Sequence, residues 1–340
     1  MKIFISSFIL SISVLTHAQI GGDYSFSFLN LAENAKVASL GGELISGTDT
    51  NDVNNGYYNP ANISANNNKT IGLNYLFLKQ GIKKSSIVYT QDFNKIGPLN
   101  FSIQHIGYGE IESTDILGNA AGTINPQEYA LSVGKSFTQN NFKLGTAIKF
   151  AGSSLGKYNS HAIMLDMGGT FLHPKKEFAT SLLFKNLGFA TDRYTESSDV
   201  NLPFQVVAGV TYKPKHMPIR FNFTAHNLQK WDIQYLDPNN TFEIDSEGNK
   251  IAEKKKFTEK LFRHLNVGAE LMLSKSLQFR MGYSHLRRKE LKVASNGGSG
   301  FSFGAMLRIK RFTFEFSKAY YFAGSGSAVL SVATNLNKIL

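Results

Sequence analysis

Residues 277–284 read LQFRMGYS and residues 312–317 read FTFEFS. In the first, Leu277, Phe279, Met281 and Tyr283 share one parity and Gln278, Arg280, Gly282 and Ser284 the other. In the second, Phe312, Phe314 and Phe316 alternate with Thr313, Glu315 and Ser317. A period of two is that of a strand with one wet face. The charges decide where that face looks. Arg280 and Glu315 each sit between two large apolar residues. At the middle of a bilayer a charge facing lipid costs about 2–4 kcal/mol, and little if it faces a water-filled lumen. The Phe-bearing parity is therefore expected to point outward and the charged parity inward.

The same alternation spreads along the chain. Leu99, Phe101 and Ile103 alternate with Asn100, Ser102 and Gln104, and Ile219, Phe221, Phe223 and Ala225 with Arg220, Asn222, Thr224 and His226. Fourteen such segments are expected, at 70–78, 84–91, 98–107, 127–138, 141–152, 158–172, 176–187, 203–213, 217–226, 261–273, 276–286, 299–310, 311–322 and 327–336. An even number is what single-chain bacterial barrels close with. The connections alternate too. Those at 138–141, 173–175, 213–218, 274–275 and near Arg311 are tight, whereas those at 107–126, 188–202, 227–260 and 287–298 are long. Two connections of the long set, near Gln80 and Ser153, are short. Short turns on the periplasmic side and long loops outside are the habit of outer-membrane barrels. The fold class is thus all-β, a 14-stranded antiparallel transmembrane β-barrel over 70–340.

The totals agree with export. The 340 residues contain no cysteine, so disulfide scaffolds and thiolate metal sites are excluded. Charged residues make up 18%, below the ~25% of ordinary soluble domains. The net charge of +11 could suggest nucleic acid, but the bases fall at turns (Lys175, Lys176, Lys213, Lys215, Lys310, Arg311) rather than in a dense stripe, so no nucleic-acid partner is expected. At the N-terminus, Lys2 precedes an apolar run at 3–15, and Thr16 and Ala18 fit a small-residue cleavage site, so 1–18 reads as a signal peptide. No later run reaches the ~18 apolar residues of a transmembrane helix.

Residues 19–69 lack the alternation. A helix is expected at 29–40, stopped by Gly41-Gly42, and turns at Asn55-Gly56 and Asn59-Pro60. This stretch cannot build a core alone and reads as a plug. A search for chemistry finds little. Ser132…Lys135 and Ser154…Lys157 match S-x-x-K, but mid-strand i and i+3 point to opposite faces, the second lies in a turn, and no companion motif is present. Glu110 and Glu112 read as a solvated rim, and the eight His show no metal-ligand spacing. Neither catalysis, metal nor cofactor is expected. Trp231 and Tyr235, with Lys254, Lys255 and Lys256, are the candidate partner-binding residues of the longest loop.

The plug carries the most informative motif. Leu40-Gly41-Gly42, followed by Asn59-Pro60-Ala61, resembles the N-terminal hatch signature of the FadL-like and PorV-like outer-membrane barrels. Within that superfamily the chain is most similar to the PorQ-like branch of the type IX secretion system. The resemblance implies a non-enzymatic component held by outer-membrane lipid, anchoring a PorZ-like surface protein beside PorU- and PorV-like components of the sortase attachment complex. The alternative that the superfamily implies is FadL-like transport of long-chain fatty acids or other hydrophobic compounds. That would need an apolar pocket in the lumen, whereas the inward parity reads as Ser, Asn, Gln, Thr and charge.

Overall fold

The structure, a computed structural model, describes residues 24–340 apart from 33, 116, 234–241, 245–249, 253–256, 291–297, 323–324 and 339–340. The expected signal peptide at 1–18, and Tyr235, Lys254, Lys255 and Lys256, lie outside the described residues.

Fourteen strands close into one antiparallel barrel. They are β1 (Thr70–Phe77), β2 (Lys83–Phe93), β3 (Gly97–Gly107), β4 (Gln127–Gln139), β5 (Phe142–Leu155), β6 (Tyr158–Leu172), β7 (Glu177–Asp192), β8 (Gln205–Lys213), β9 (Ile219–Ala225), β10 (Leu265–Met272), β11 (Leu277–Ser284), β12 (Phe301–Ile309), β13 (Phe312–Phe322) and β14 (Ser325–Asn335). Each pairs with its sequence neighbour, and β1 closes on β14 from Thr70↔Asn335 to Phe77↔Ala328.

The faces are inverted relative to a soluble protein. Phe279 and Phe316 are 45% and 48% exposed, whereas Arg280 is 5% and Glu270 1% exposed. The outward parity supplies a belt that includes Ile87, Ile103, Leu131, Ile148, Phe184 and Phe303, and the inward parity includes Asn74, Ser102, Gln104, Asp166, Thr211 and Ser331. This is the arrangement that Arg280 and Glu315 demand.

Four local expectations are corrected. The helix expected at 29–40 shrinks to α1 (Ala35–Ser39), preceded by a 3-10 turn at Ser27–Asn30. Leu31 is extended between them, and the Asn34 side chain caps α1 by accepting from the Val37 N–H. The strand expected from 261 starts at Leu265, because α2 (Phe257–Arg263) runs up to it, with Glu259 and Arg263 paired one turn apart. Likewise β11 ends at Ser284, where α3 (His285–Glu290) begins. Finally, two of the long connections are not structureless: Ile111–Thr114 pairs with Ala120–Ile124, and Phe242–Ile244 with Lys250–Ala252.

Candidate functional site

The plug crosses the lumen and docks on two wall pads made of glycine. On one side Gly268 and Gly282 face each other directly across β10 and β11. A Cβ on Gly282 would lie 2.3 Å from the Gly41 nitrogen, and one on Gly268 2.8 Å from the Leu40 side chain. The plug backbone therefore rests where a side chain would stand. Gly41 and Gly42 end α1 at φ +92° and +94°, a region that favours glycine. The Gly41 N–H donates to Ser302 Oγ at 3.2 Å, and that hydroxyl donates to the Ser39 carbonyl at 3.0 Å. Gly42 must also stay bare, because the Arg287 guanidinium lies where its Cβ would be.

The second pad lies five strands around the ring, on β5 and β6, where Gly145 faces Gly168. Here Cβ atoms would fall 2.1 Å from the Pro60 carbonyl carbon and 1.9 Å from Asn59 Oδ1. Asn59 shapes the turn by accepting from the Ala61 N–H at 3.0 Å, while its amide donates to the Ile45 carbonyl at 2.9 Å and to Thr170 Oγ1 at 3.2 Å. Pro60 starts the 3-10 turn, a position where its missing N–H costs nothing. Five of the six motif residues, Leu40, Gly41, Asn59, Pro60 and Ala61, are thus brought against bare wall, at two pads, and Gly42 lies under Arg287. Of the strand glycines that receive them, sequence alternation places only Gly282 on the wet parity and gives it no role. Gly145, Gly168, Gly268 and Gly282 on inward parity are the signal that could have found the pads.

Around the first pad runs an ion-paired seam. Lys36 of α1 meets Asp52 of the plug at 3.1 Å. On the wall Glu270 takes Arg280 at 3.3 Å and Arg220 at 3.6 Å, and Arg280 reaches on to Glu315 at 2.9 Å. Asn222 also donates to Glu270 at 3.0 Å. A void of about 30 Å³, room for a water, lies between Asp49 and Asp52 of the plug and Arg280, Arg308 and Glu315 of the wall.

At the end that carries the long loops the lumen changes character. Phe26, Phe28 and Leu29, each 1% exposed, pack against Ile106, Ala130, Ala151, Ala162 and Met164 of the wall, with Val200 and Leu202 alongside. Lys84 fixes this segment, donating to the Phe28 carbonyl at 2.7 Å and to the Leu31 carbonyl at 3.3 Å. The lumen therefore does hold an apolar chamber, filled by the chain's own side chains. The inward parity reads polar from sequence because these wall residues interrupt it one or two at a time on four different strands.

The wall beside this chamber is incomplete. β7 pairs with β8 only as far as Lys185↔Gln205, so its last residues keep a partner on β6 alone. Asn186 marks the break. Its φ is +59°, its N–H donates to Asp166 Oδ1, and its amide donates to the Pro203 carbonyl at 3.1 Å. A crevice of about 580 Å³ follows, bounded by Leu187 and Phe189 on one side and by Val200 and Leu202 on the other.

Of the loop candidates, Trp231 is described and 47% exposed. Its indole stacks on His264 with ring centres 5.4 Å apart and meets Phe257 at the same distance. Both His264 nitrogens face carbonyl oxygens, His226 O at 2.7 Å and Trp231 O at 3.1 Å. A carbonyl only accepts, so in each contact it is the ring nitrogen that would donate. Phe257 and Phe262 add exposed rings nearby. As for chemistry, Ser132 Oγ contacts Ser102 Oγ in the lumen while Lys135 lies over the outward Phe137 ring, so that S-x-x-K pair is split across the wall. Among the described residues no group of three His, Asp or Glu could hold a metal ion.

No family model matches the chain, and no curated protein matches it. Among solved structures it is similar to the TodX deltaS2S3 mutant monoaromatic hydrocarbon channel, with a TM-score of 0.51 and 10% identity over 89% of this chain and 98% of that one. It is also similar to a Pseudomonas aeruginosa FadL homologue, with a TM-score of 0.45 and 12% identity over 89% and 98%. At such identities the first likeness speaks for the fold alone: the chain is a closed fourteen-strand β-barrel of the outer-membrane kind.

Proposed function

We propose that the protein is an outer-membrane channel for small hydrophobic compounds whose gate is its own N-terminal segment. One observation carries this reading: an apolar chamber at the long-loop end is occupied by Phe26, Phe28 and Leu29 and is backed by a crevice in the wall. A buried large apolar side chain is worth about 1.5–3 kcal/mol over an exposed one, so an apolar guest replaces each with little net cost. The guest enters from the loop end, takes the place of the segment, and leaves sideways between β7 and residues 199–204 into the membrane. That route avoids the ion-paired seam, which no apolar compound could cross without stranding charge. The likeness to a monoaromatic hydrocarbon channel supports the same class of cargo. Uptake of a labelled long-chain fatty acid or of toluene into proteoliposomes tests it. Phe28→Ala is expected to raise the rate and Val200→Trp to lower it; rates equal to those of protein-free liposomes would refute the channel.

A second reading rests on a different observation. The exposed rings of Trp231 and Phe257 meet each other among the external loops, and Phe262 is exposed on the same helix as Phe257. Such a patch suits the anchoring of a PorZ-like surface protein, in a type IX attachment complex with PorU- and PorV-like components. Deleting 227–260 is then expected to abolish co-purification of that partner while leaving the barrel assembled. Unchanged co-purification would exclude it.

A further inference from the structure

A second cavity at the long-loop end, of about 250 Å³, lies between the plug, the strand ends and α3. It adjoins the apolar chamber, with Leu31 bordering both, but differs in kind. Three of its lining side chains each carry a buried polar atom with no hydrogen-bond partner: Gln205 Oε1, His226 Nε2 and Asn266 Oδ1, on residues each 4% exposed. Buried polar groups are ordinarily paired, and three orphans around one space need an account.

Their chemistry can be read from their neighbours. Asn227 Nδ2 donates to His226 Nδ1 at 2.9 Å, so His226 carries its proton on Nε2 and that atom is a donor. Burial, with His264 and Arg287 nearby, pushes the His226 imidazole down to about 3, so the ring is neutral. Gln205 spends its amide N–H on Asn227 Oδ1 at 3.0 Å, which leaves its carbonyl as an acceptor. Asn266 Oδ1 is a second acceptor. Arg287, Glu43 and Glu290 complete the lining with both signs of charge. Burial raises both carboxyls above the ordinary range, against the pull of Arg287.

The mixture selects a ligand class. An ammonium compound would find the two carbonyls and the carboxyls but would face Arg287 and the His226 N–H. A carboxylate or phosphate would find those donors but face two carbonyl oxygens and two carboxyls. A neutral polyhydroxylated ligand uses both sets, because each hydroxyl donates and accepts. The volume is just below the ~300 Å³ at which drug-sized pockets begin, and equals that of about eight waters. We propose that this cavity is a carbohydrate site that takes one monosaccharide unit from the outer side of the membrane, either as a free sugar or as the terminal residue of a surface glycan.

Saturation-transfer NMR on the full chain, in a detergent without a sugar headgroup such as lauryldimethylamine oxide, tests it. Glucose, galactose and mannose are offered as free sugars, as methyl glycosides and as lipopolysaccharide-derived oligosaccharides. At least one is expected to bind with millimolar affinity, and transfer from the free sugar or from the oligosaccharide identifies the source. Asn266→Leu and Gln205→Leu are each expected to weaken binding about tenfold, the loss of one hydrogen bond to a ligand. Heat-modifiable migration on gels confirms that each variant barrel is folded, and His226→Phe serves if one is not. Sugar binding is read by NMR and transport by proteoliposome uptake, so failure here and failure of the channel are distinguishable. No transfer from any sugar, equal transfer in the variants, or preferential binding of betaine or acetate would overturn the proposal.

Discussion

The two ends of the plug share buried apolar contacts with the wall and differ in what is added to them. Residues 26–29 lie in an apolar chamber and are fixed mainly by buried area, with Lys84 holding two carbonyls. Residues 36–62 also bury apolar surface, with Val37, Leu40, Val53 and Tyr57 in one cluster with Leu76, Val88 and Val329, but they add the Lys36–Asp52 ion pair and backbone pressed against glycine. Burial of apolar surface has no preferred direction, so any apolar molecule of similar volume can take its place. An ion pair or a bare-backbone contact is directional and has no such substitute. The difference assigns the moving part: the first lobe can exchange with a guest while the second stays seated.

The largest expected effect is at the glycine pads. Gly145→Val, Gly168→Val and Gly282→Val each drive atoms into plug backbone or into Asn59, and are expected to unseat the second lobe altogether. Protease cleavage within residues 36–62 and loss of heat-modifiable migration would show it. The neighbouring Gly169→Ala is the control, since a Cβ there meets only Leu144 at 3.5 Å. If Gly145→Val folds with the plug protected, the pads are not what hold it. Next, Arg280→Met leaves Glu270 and Glu315 buried without their shared partner. Removing one member of a buried pair costs about 3–5 kcal/mol, read as a lowered midpoint in urea. Phe28→Ala follows, at about 3 kcal/mol for a buried aromatic truncated to alanine. It is expected to loosen residues 26–29 by hydrogen exchange while leaving Lys36 and Asp52 protected. Joint loosening of both lobes would erase the distinction drawn above.

Two smaller effects lie outside the plug and show whether the loops are independent of it. His264→Phe keeps a ring beside Trp231 but removes the donor that faces the His226 and Trp231 carbonyls, and about 1 kcal/mol of local stability is expected to go with it. Trp231 is the sole tryptophan, so its fluorescence reports the change directly. The smallest effect concerns pH. Burial would raise the Glu259 carboxyl, but the hydrogen bond from His285 and the Lys289 ammonium hold it below its ordinary value of 4.5. A depressed carboxyl contributes stability above its unfolded value and loses it as pH falls through the folded one. The contact of α2 with α3 is therefore expected to weaken only below that value, by about 0.5 kcal/mol, as for an exposed pair. Amide exchange in 257–263 at neutral and acidic pH measures it.

The barrel was legible because its signal repeats. A charge between two phenylalanines, as at Arg280 and Glu315, fixes both the period and the direction of a face, and fourteen such segments reinforce one another. The plug was legible only as motifs. Its contacts depend on which wall residues meet it, and glycines on scattered strands have no local pattern that announces a niche. The chamber was hidden for the same reason: Ile106, Ala130, Ala151 and Met164 become one surface only when β3, β4, β5 and β6 stand side by side. The helix expected at 29–40 failed because the chain bends at Leu31 to carry Phe28 away from α1, a demand of the chamber and not of the local sequence.

One contact bears on how the molecule is put together. The N–H of Ala35, at the start of α1, donates to Ser331 on β14 at 2.9 Å, and β14 is also the strand that zips onto β1. The last strand to be synthesised thus has two tasks, to complete the cylinder and to grip a segment made some three hundred residues earlier. Closure of the ring and seating of the first plug helix therefore share one strand, so a change at Ser331 bears on both.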